Sequence, residues 1–164
     1  MRLESEDGAS VDLRLVGYQF RGAVGAPPGD WDANWLVVRG RVRLADGRAW
    51  SFTDASLTTW DARDIDGWLR GVVSGHVAPV PEDASEEDLL AFTEPCLAFS
   101  LAARDDSVAT VRVHLSLECA PPWLHEEGGE IVLFAFFVAV TVPLDVVGRA
   151  ADDWSAALAQ FPAR

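Results

Sequence analysis

The chain has 164 residues, 49% apolar and 24% charged, a composition suited to one folded domain spanning 1–164 and not to a disordered segment. A formal net charge of −13 argues against nucleic-acid binding through phosphates, and because all thirteen basic residues are arginine, Schiff-base chemistry and a phosphate-loop lysine are excluded. No apolar stretch follows a basic N-terminal segment, and the longest apolar run, 131–142, is too short for a membrane-spanning helix, so a cytoplasmic protein without membrane contact is expected.

Taken in order, residues 2–7 read as a short edge strand and Gly8-Ala9 as a turn. Val11, Leu13 and Leu15 alternate with polar residues before the apolar set moves to Val16, Tyr18 and Phe20, a slip that predicts a bulge at Val16-Gly17. Residues 22–29, with Pro27-Pro28, read as a loop. Beyond the loop at 30–34, the even positions Leu36, Val38, Gly40, Val42 and Leu44 are apolar or small, while Arg39, Arg41 and Arg43 are charged: a half-buried strand with one wet face. A three-residue turn at Ala45-Asp46-Gly47, with Gly47 left-handed, sets Val42 opposite Trp50 and Gly40 opposite Phe52, leaving a ring room over a glycine. That hairpin is expected to end near Asp54.

Thr58 or Thr59 can cap a helix at about 60–73, with Asp61 and Asp64 near its positive end, Ile65, Trp68, Leu69 and Val72 on one face, and Gly71 or Gly75 closing it. Residues 77–88, with Pro79, Pro81 and five carboxylates, form a solvated loop. Leu97, Phe99 and Leu101 alternate up to a turn at Asp105-Asp106. In the next strand Val111, Val113, Leu115, Leu117 and Cys119 face one way, and Thr110, Arg112, His114, Ser116 and Glu118 the other. An acidic loop occupies 123–130, and 131–142, apolar on both faces, reads as a central strand covered on both sides. Pro143 opens a final helix at about 143–160, with Leu144, Val147, Ala151, Trp154, Leu158 and Phe161 on the face laid across the sheet. The fold class is therefore α+β: a mostly antiparallel β-sheet or sandwich built from hairpins, with two helices packed on it.

No catalytic motif stands out. His76, His114 and His125 lack partners at metal-ligand spacing, so no metal or cofactor is expected, and Cys96 and Cys119 read as buried thiols. Arg112, His114, Ser116 and Glu118 on one strand face, with Arg39, Arg41 and Arg43, could assemble an enzymatic or small-molecule site; a polar sheet face open to solvent explains the same row. Asp30 and Asp32 could hold a cation or stabilise a turn. Of seven tryptophans, Trp31 and Trp123 sit in loops among carboxylates, as interface anchors do, or fold back over the core edge.

The run Gly29-Asp30-Trp31-Asp32-Ala33-Asn34-Trp35-Leu36, the Asp46-Gly47 turn, Trp50-Ser51-Phe52, Leu57-Thr58-Thr59-Trp60, Phe92-Thr93-Glu94-Pro95 and the tail at Trp154 and Phe161-Pro162-Ala163 resemble the WapI-type immunity proteins, small bacterial proteins encoded beside polymorphic toxins. The resemblance covers nearly the whole chain and brings no catalytic motif. It implies a non-enzymatic protein that neutralises a basic toxin domain, a nuclease, through an acidic surface; for the chain itself a monomer or weak homodimer is expected. The expected contacts are Asp30, Trp31 and Asp32, the acidic residues Glu82, Asp83, Glu86, Glu87 and Asp88, and Trp123 with Glu126 and Glu127.

Overall fold

The computed structural model describes residues 1–20, 27, 29–126 and 132–164, the side chains of His125 and Glu126 excepted. Most of the loop expected at 22–29, the Glu127 contact and Ile131 lie outside the described residues.

The described residues form two four-stranded antiparallel sheets. Sheet A has the order β1 (Arg2–Glu4), β2 (Ser10–Tyr18), β3 (Trp35–Arg43), β4 (Ala49–Thr58). Sheet B has the order β5 (Leu90–Ala91), β6 (Leu97–Arg104), β7 (Val108–Leu115), β8 (Phe137–Pro143). Helix α1 (Thr59–Ser74) follows β4, the short α2 (Pro122–Glu126) lies between β7 and β8, and α3 (Leu144–Leu158) follows β8. The α+β class is thus as expected. No helix among the described residues is long and apolar enough to cross a membrane.

The β3–β4 hairpin takes the register that keeps its apolar positions together. Val42 pairs with Trp50 and Gly40 with Phe52. The Leu44 amide donates to the Arg48 carbonyl at 2.8 Å, and Gly47 adopts φ +91°, a value that favours glycine. A Cβ on Gly40 would lie 2.1 Å from Phe52 Cε1, so the ring occupies the place of the missing side chain. The expected bulge in β2 is present, between Leu15 and Gly17. Strand β4 does not stop near Asp54 but runs to Thr58. The register slips between the pairs Val38–Asp54 and Leu36–Leu57, and this re-aims the strand so that Ser56, Leu57 and Thr58 are all buried.

The strand therefore delivers Thr58 to the start of α1 as its N-cap. The Asp61 amide donates to Thr58 Oγ1 at 3.2 Å and the Thr58 amide to Asp61 Oδ2 at 2.7 Å, a reciprocal cap. Gly75 ends the helix at φ +78°, its amide donating to the Val72 carbonyl at 3.3 Å, and Arg104 donates to the Val72 and Val73 carbonyls at 2.8 and 3.0 Å, completing the last turn.

Two strands end differently from expectation. Strand β7 stops at Leu115, and residues 117–119 form a 3-10 turn with Leu117 at φ +48°. The cause lies in the neighbouring strand: β6 begins at Leu97, so the last rung is Ser116 N–H to the Cys96 carbonyl, 2.9 Å, and beyond it β6 offers no partner. Nor do the described residues of the apolar run 131–142, namely 132–142, form a central, doubly covered strand. Strand β8 starts only at Phe137, lies at the edge of sheet B, and buries Val138, Val140 and Val142 while exposing Ala139 and Thr141. Phe134, at φ +61°, breaks the extended run, and the chain before β8 folds over the outer face of sheet B instead of joining the sheet.

One apolar core joins the inner faces of both sheets and both long helices. The sheets are stitched at two edges: the Thr141 amide donates to Ser5 Oγ at 3.1 Å, and Trp50 Nε1 donates to the Cys119 carbonyl at 3.0 Å. Helix α1 sets Trp68 against Phe99 of sheet B, ring centroids 5.8 Å apart. The helical spacing places Trp154 of α3 at the middle of a helix-on-sheet contact, yet its indole donates to the Ala62 carbonyl of α1 at 2.7 Å. The last helix packs chiefly on its fellow helix, touching strands of both sheets beside it.

Candidate functional site

Three of the expected contact residues form one built feature. Asp32–Asn34 make a 3-10 turn immediately before β3. Asp30 Oδ1 accepts from the Ala33 amide at 3.2 Å, so this carboxylate serves the turn. Asn34 is fully buried, and both ends of its amide are used twice. Its Nδ2 donates to the Asp30 and Arg164 carbonyls at 2.7 and 3.0 Å, and its Oδ1 accepts from Thr59 Oγ1 and the Arg164 amide, both at 2.9 Å. That network holds Trp31 in place. The Trp31 ring stacks on Trp60 with centroids 5.2 Å apart and meets Trp35 edge-on at 6.5 Å. Even so, Trp31 is 48% exposed, with Phe20, bonded through its carbonyl to Arg164, equally open nearby. The arrangement is a fixed aromatic knob beside the exposed carboxylate of Asp32.

Trp123 is not part of that knob. It packs edge-on against Trp50 at 5.4 Å with Arg48 over its ring at 4.9 Å, so it folds back on the core edge. Trp50 pairs with Val42, seven residues along β3 from Trp35. At about 3.3 Å per residue the two tryptophan sites are separated by roughly 23 Å.

The acidic segment lies on the outer face of sheet B. Arg112 straps it there, its Nη1 donating to the Val80 and Pro81 carbonyls at 3.0 and 3.2 Å while its guanidinium sits over Phe137. Glu82, Asp83, Glu86, Glu87 and Asp88 are exposed, and none forms an ion pair among the described residues. Asp88 caps its own turn through Ser85 at 2.9 Å. Glu82, Asp83 and Glu86 line a cleft of about 510 Å³ whose other walls are Leu133, Phe134 and Phe137 and whose floor holds Ser100 and His114.

The polar row of β7 is consequently neither open to solvent nor a convergent catalytic group. Arg112, His114 and Ser116 are only 9%, 3% and 1% exposed, because the segments before β5 and β8 cover them. Glu118 has left the strand and stands beside Cys96, while Arg39, Arg41 and Arg43 belong to the exposed face of the other sheet. His114 Nδ1 lies 2.7 Å from the Phe134 carbonyl, which can only accept, so Nδ1 carries the proton; Nε2 then accepts from the Ser100 hydroxyl at 2.9 Å. Ser116 Oγ accepts from the Phe134 amide at 2.8 Å. Together these bonds pin the chain ahead of β8 to the sheet.

Burial lowers the His114 pKa below its ordinary value, against the Phe134 hydrogen bond and with help from the Arg112 charge. The unfolded chain therefore binds this proton more readily than the folded one, and stability present above about pH 6.5 is lost as pH falls. The expected result is an unfolding free energy that declines between pH 7 and 5, with a shallower decline in His114→Gln. Urea titrations across that window check it, and identical slopes in the two proteins would show that His114 is not the group responsible.

A family model described as "Immunity protein WapI-like family" matches residues 2–162. Comparison with the curated proteins and with the solved structures finds no match.

Proposed function

The chain belongs to the WapI-like immunity protein family, and from that premise we propose that it neutralises a cognate toxin domain by binding it, with Trp31 as the anchor and the carboxylates of 82–88 as the steering surface. The observation that carries this reading is the half-exposed Trp31 ring, held in place by stacking and by the Asn34 network. A large ring already fixed in its bound pose loses little freedom on association, which is the property of an interface hot spot. The negative balance supports a basic partner. A nuclease surface shaped for phosphate is positive, and a protein of net charge −13 would approach it under attraction. Nothing in this role requires a bond to be broken, and the protein acts by occlusion.

The two parts of the proposal separate kinetically. In co-expression with the toxin domain encoded beside it, the wild type should restore growth and co-purify in a complex. Trp31→Ala is expected to weaken the complex by about 2 kcal/mol or more, chiefly through faster dissociation. Reversing Glu82, Asp83, Glu86 and Glu87 to lysine should instead slow association, by about tenfold at low salt and less as salt is raised. Persistent toxicity with no complex, for that toxin and its near relatives, overturns the reading. A second reading, a small molecule bound over Ser100 and His114, is favoured by the size of the cleft; a compound that shifts the His114 imidazole signals with no toxin domain present would select it.

A further inference from the structure

Beside the Trp50 stitch, three separate stretches of chain turn polar side chains onto one point. Asp54 comes from β4, Glu94 and Cys96 from the segment leading into β6, and Glu118 and Cys119 from the 3-10 turn after β7. Cys96 Sγ stands 3.4 Å from Glu118 Oε2, 3.6 Å from Glu94 Oε1 and 3.9 Å from Asp54 Oδ2. Both thiols are free and fully buried, and Ser56 Oγ lies 3.5 Å from Cys119 Sγ and 3.0 Å from Asp54 Oδ2.

Counting protons shows what the cluster lacks. A thiol donates one hydrogen bond and a carboxylate none, so two of the three carboxylate contacts around Cys96 have no hydrogen between them. No arginine supplies one: among the described residues neither Asp54 nor Glu94 nor Glu118 forms an ion pair. Three acceptors gathered on one donor are explained by a cation. Geometry agrees. The ligand atoms of Glu94, Cys96 and Glu118 all lie within 4.8 Å of one another. In a tetrahedral zinc site, bonds of about 2.3 Å to sulfur and 2.1 Å to oxygen set the sulfur–oxygen edge at about 3.6 Å, the spacing already present between Cys96 and its two glutamates.

We propose that Cys96, Glu94 and Glu118 form a binding site for a thiophilic divalent cation of the zinc class, with water completing its coordination. Such an ion would tie the segment before β6 to the 3-10 turn at the seam where Trp50 of sheet A meets sheet B. This site is independent of the toxin-neutralising role.

The test uses the full chain, reduced and stripped with a chelator, then titrated with cobalt(II) and competed with zinc(II). One equivalent of cobalt is expected to give sulfur-to-metal charge-transfer absorption that zinc abolishes, and zinc should raise the melting temperature. Cys96→Ser should lose the absorption. Glu118→Gln, at an exposed position that folding tolerates, should weaken binding by at least about tenfold. Absence of both the absorption and the zinc-dependent melting shift in the wild type overturns the proposal, as does undiminished affinity in Glu118→Gln.

Discussion

Trp154→Ala is expected to remove about 3–5 kcal/mol of stability, the cost of truncating a fully buried large ring. The size of the effect follows from position. Trp154 is the largest fully buried side chain among the described residues, and its indole N–H is bonded to the Ala62 carbonyl. The ring thus fills the space between the two long helices and fixes how they sit. Neighbouring positions offer little to collapse into the cavity: Ala62, Ala150 and Ala151 are small, and Gly148 already approaches Val73 within ordinary contact distance of a Cβ. For a chain of this length the loss corresponds to a fall in melting temperature of roughly 10 °C. Because one core joins both sheets and both helices, unfolding should remain a single transition in thermal and denaturant scans. A loss below about 1 kcal/mol would show that the helix pair is not held by this ring.

What the sequence discloses is what local chemistry decides. The register of the β3–β4 hairpin is legible because only one pairing keeps Val42, Gly40, Trp50 and Phe52 on the same face, and only a glycine leaves room for the Phe52 ring. The limits of α1 are legible because a capping threonine, an aspartate three residues on and a left-handed glycine are all short-range signals. The misreadings share a cause in partners remote along the chain. An apolar run says nothing about which residues pair and which fold over a sheet face, so 132–136 reads as part of β8, whereas Phe134 is bonded to His114 and Ser116. A polar row on β7 reads as wet, and only the approach of Val80 and Pro81, some thirty residues away, shows Arg112 covered. The thiol and carboxylate cluster carries no metal motif because its ligands come from stretches more than twenty residues apart. Candidate contacts on loops are easy to name, but their grouping is not: nothing local shows that Trp31 is propped by Trp60 while Trp123 leans on Trp50 at the far end of the same hairpin.

Asn34→Ala carries the second large effect, and it separates a fixed anchor from a merely exposed one. The substitution leaves the Asp30 carbonyl, the Thr59 hydroxyl and the Arg164 amide without their buried partner, while the Arg164 carbonyl keeps the Gly29 amide at 3.1 Å. An unpaired buried polar group costs about 1–3 kcal/mol, and with partial rescue by water the total expected is about 3 kcal/mol. The consequence for binding follows from what the amide connects. It joins the turn bearing Trp31 to the start of α1 and to the chain at Arg164, and with those ties gone the indole keeps its stacking and the turn keeps only its own Ala33–Asp30 and Asn34–Trp31 bonds and the Gly29–Arg164 bond. Binding must then order a ring that the wild type presents already ordered, so affinity for the toxin domain should fall although Asn34 touches no partner. Measured well below the melting temperature, Asn34→Ala should show weaker binding together with a Trp31 signal that reports greater ring motion, and Trp31→Ala combined with Asn34→Ala should lose little beyond Trp31→Ala alone. If Asn34→Ala binds as tightly as the wild type while Trp31→Ala does not, the ring anchors the toxin without being preorganised, and rigidity is not what suits Trp31 to that role.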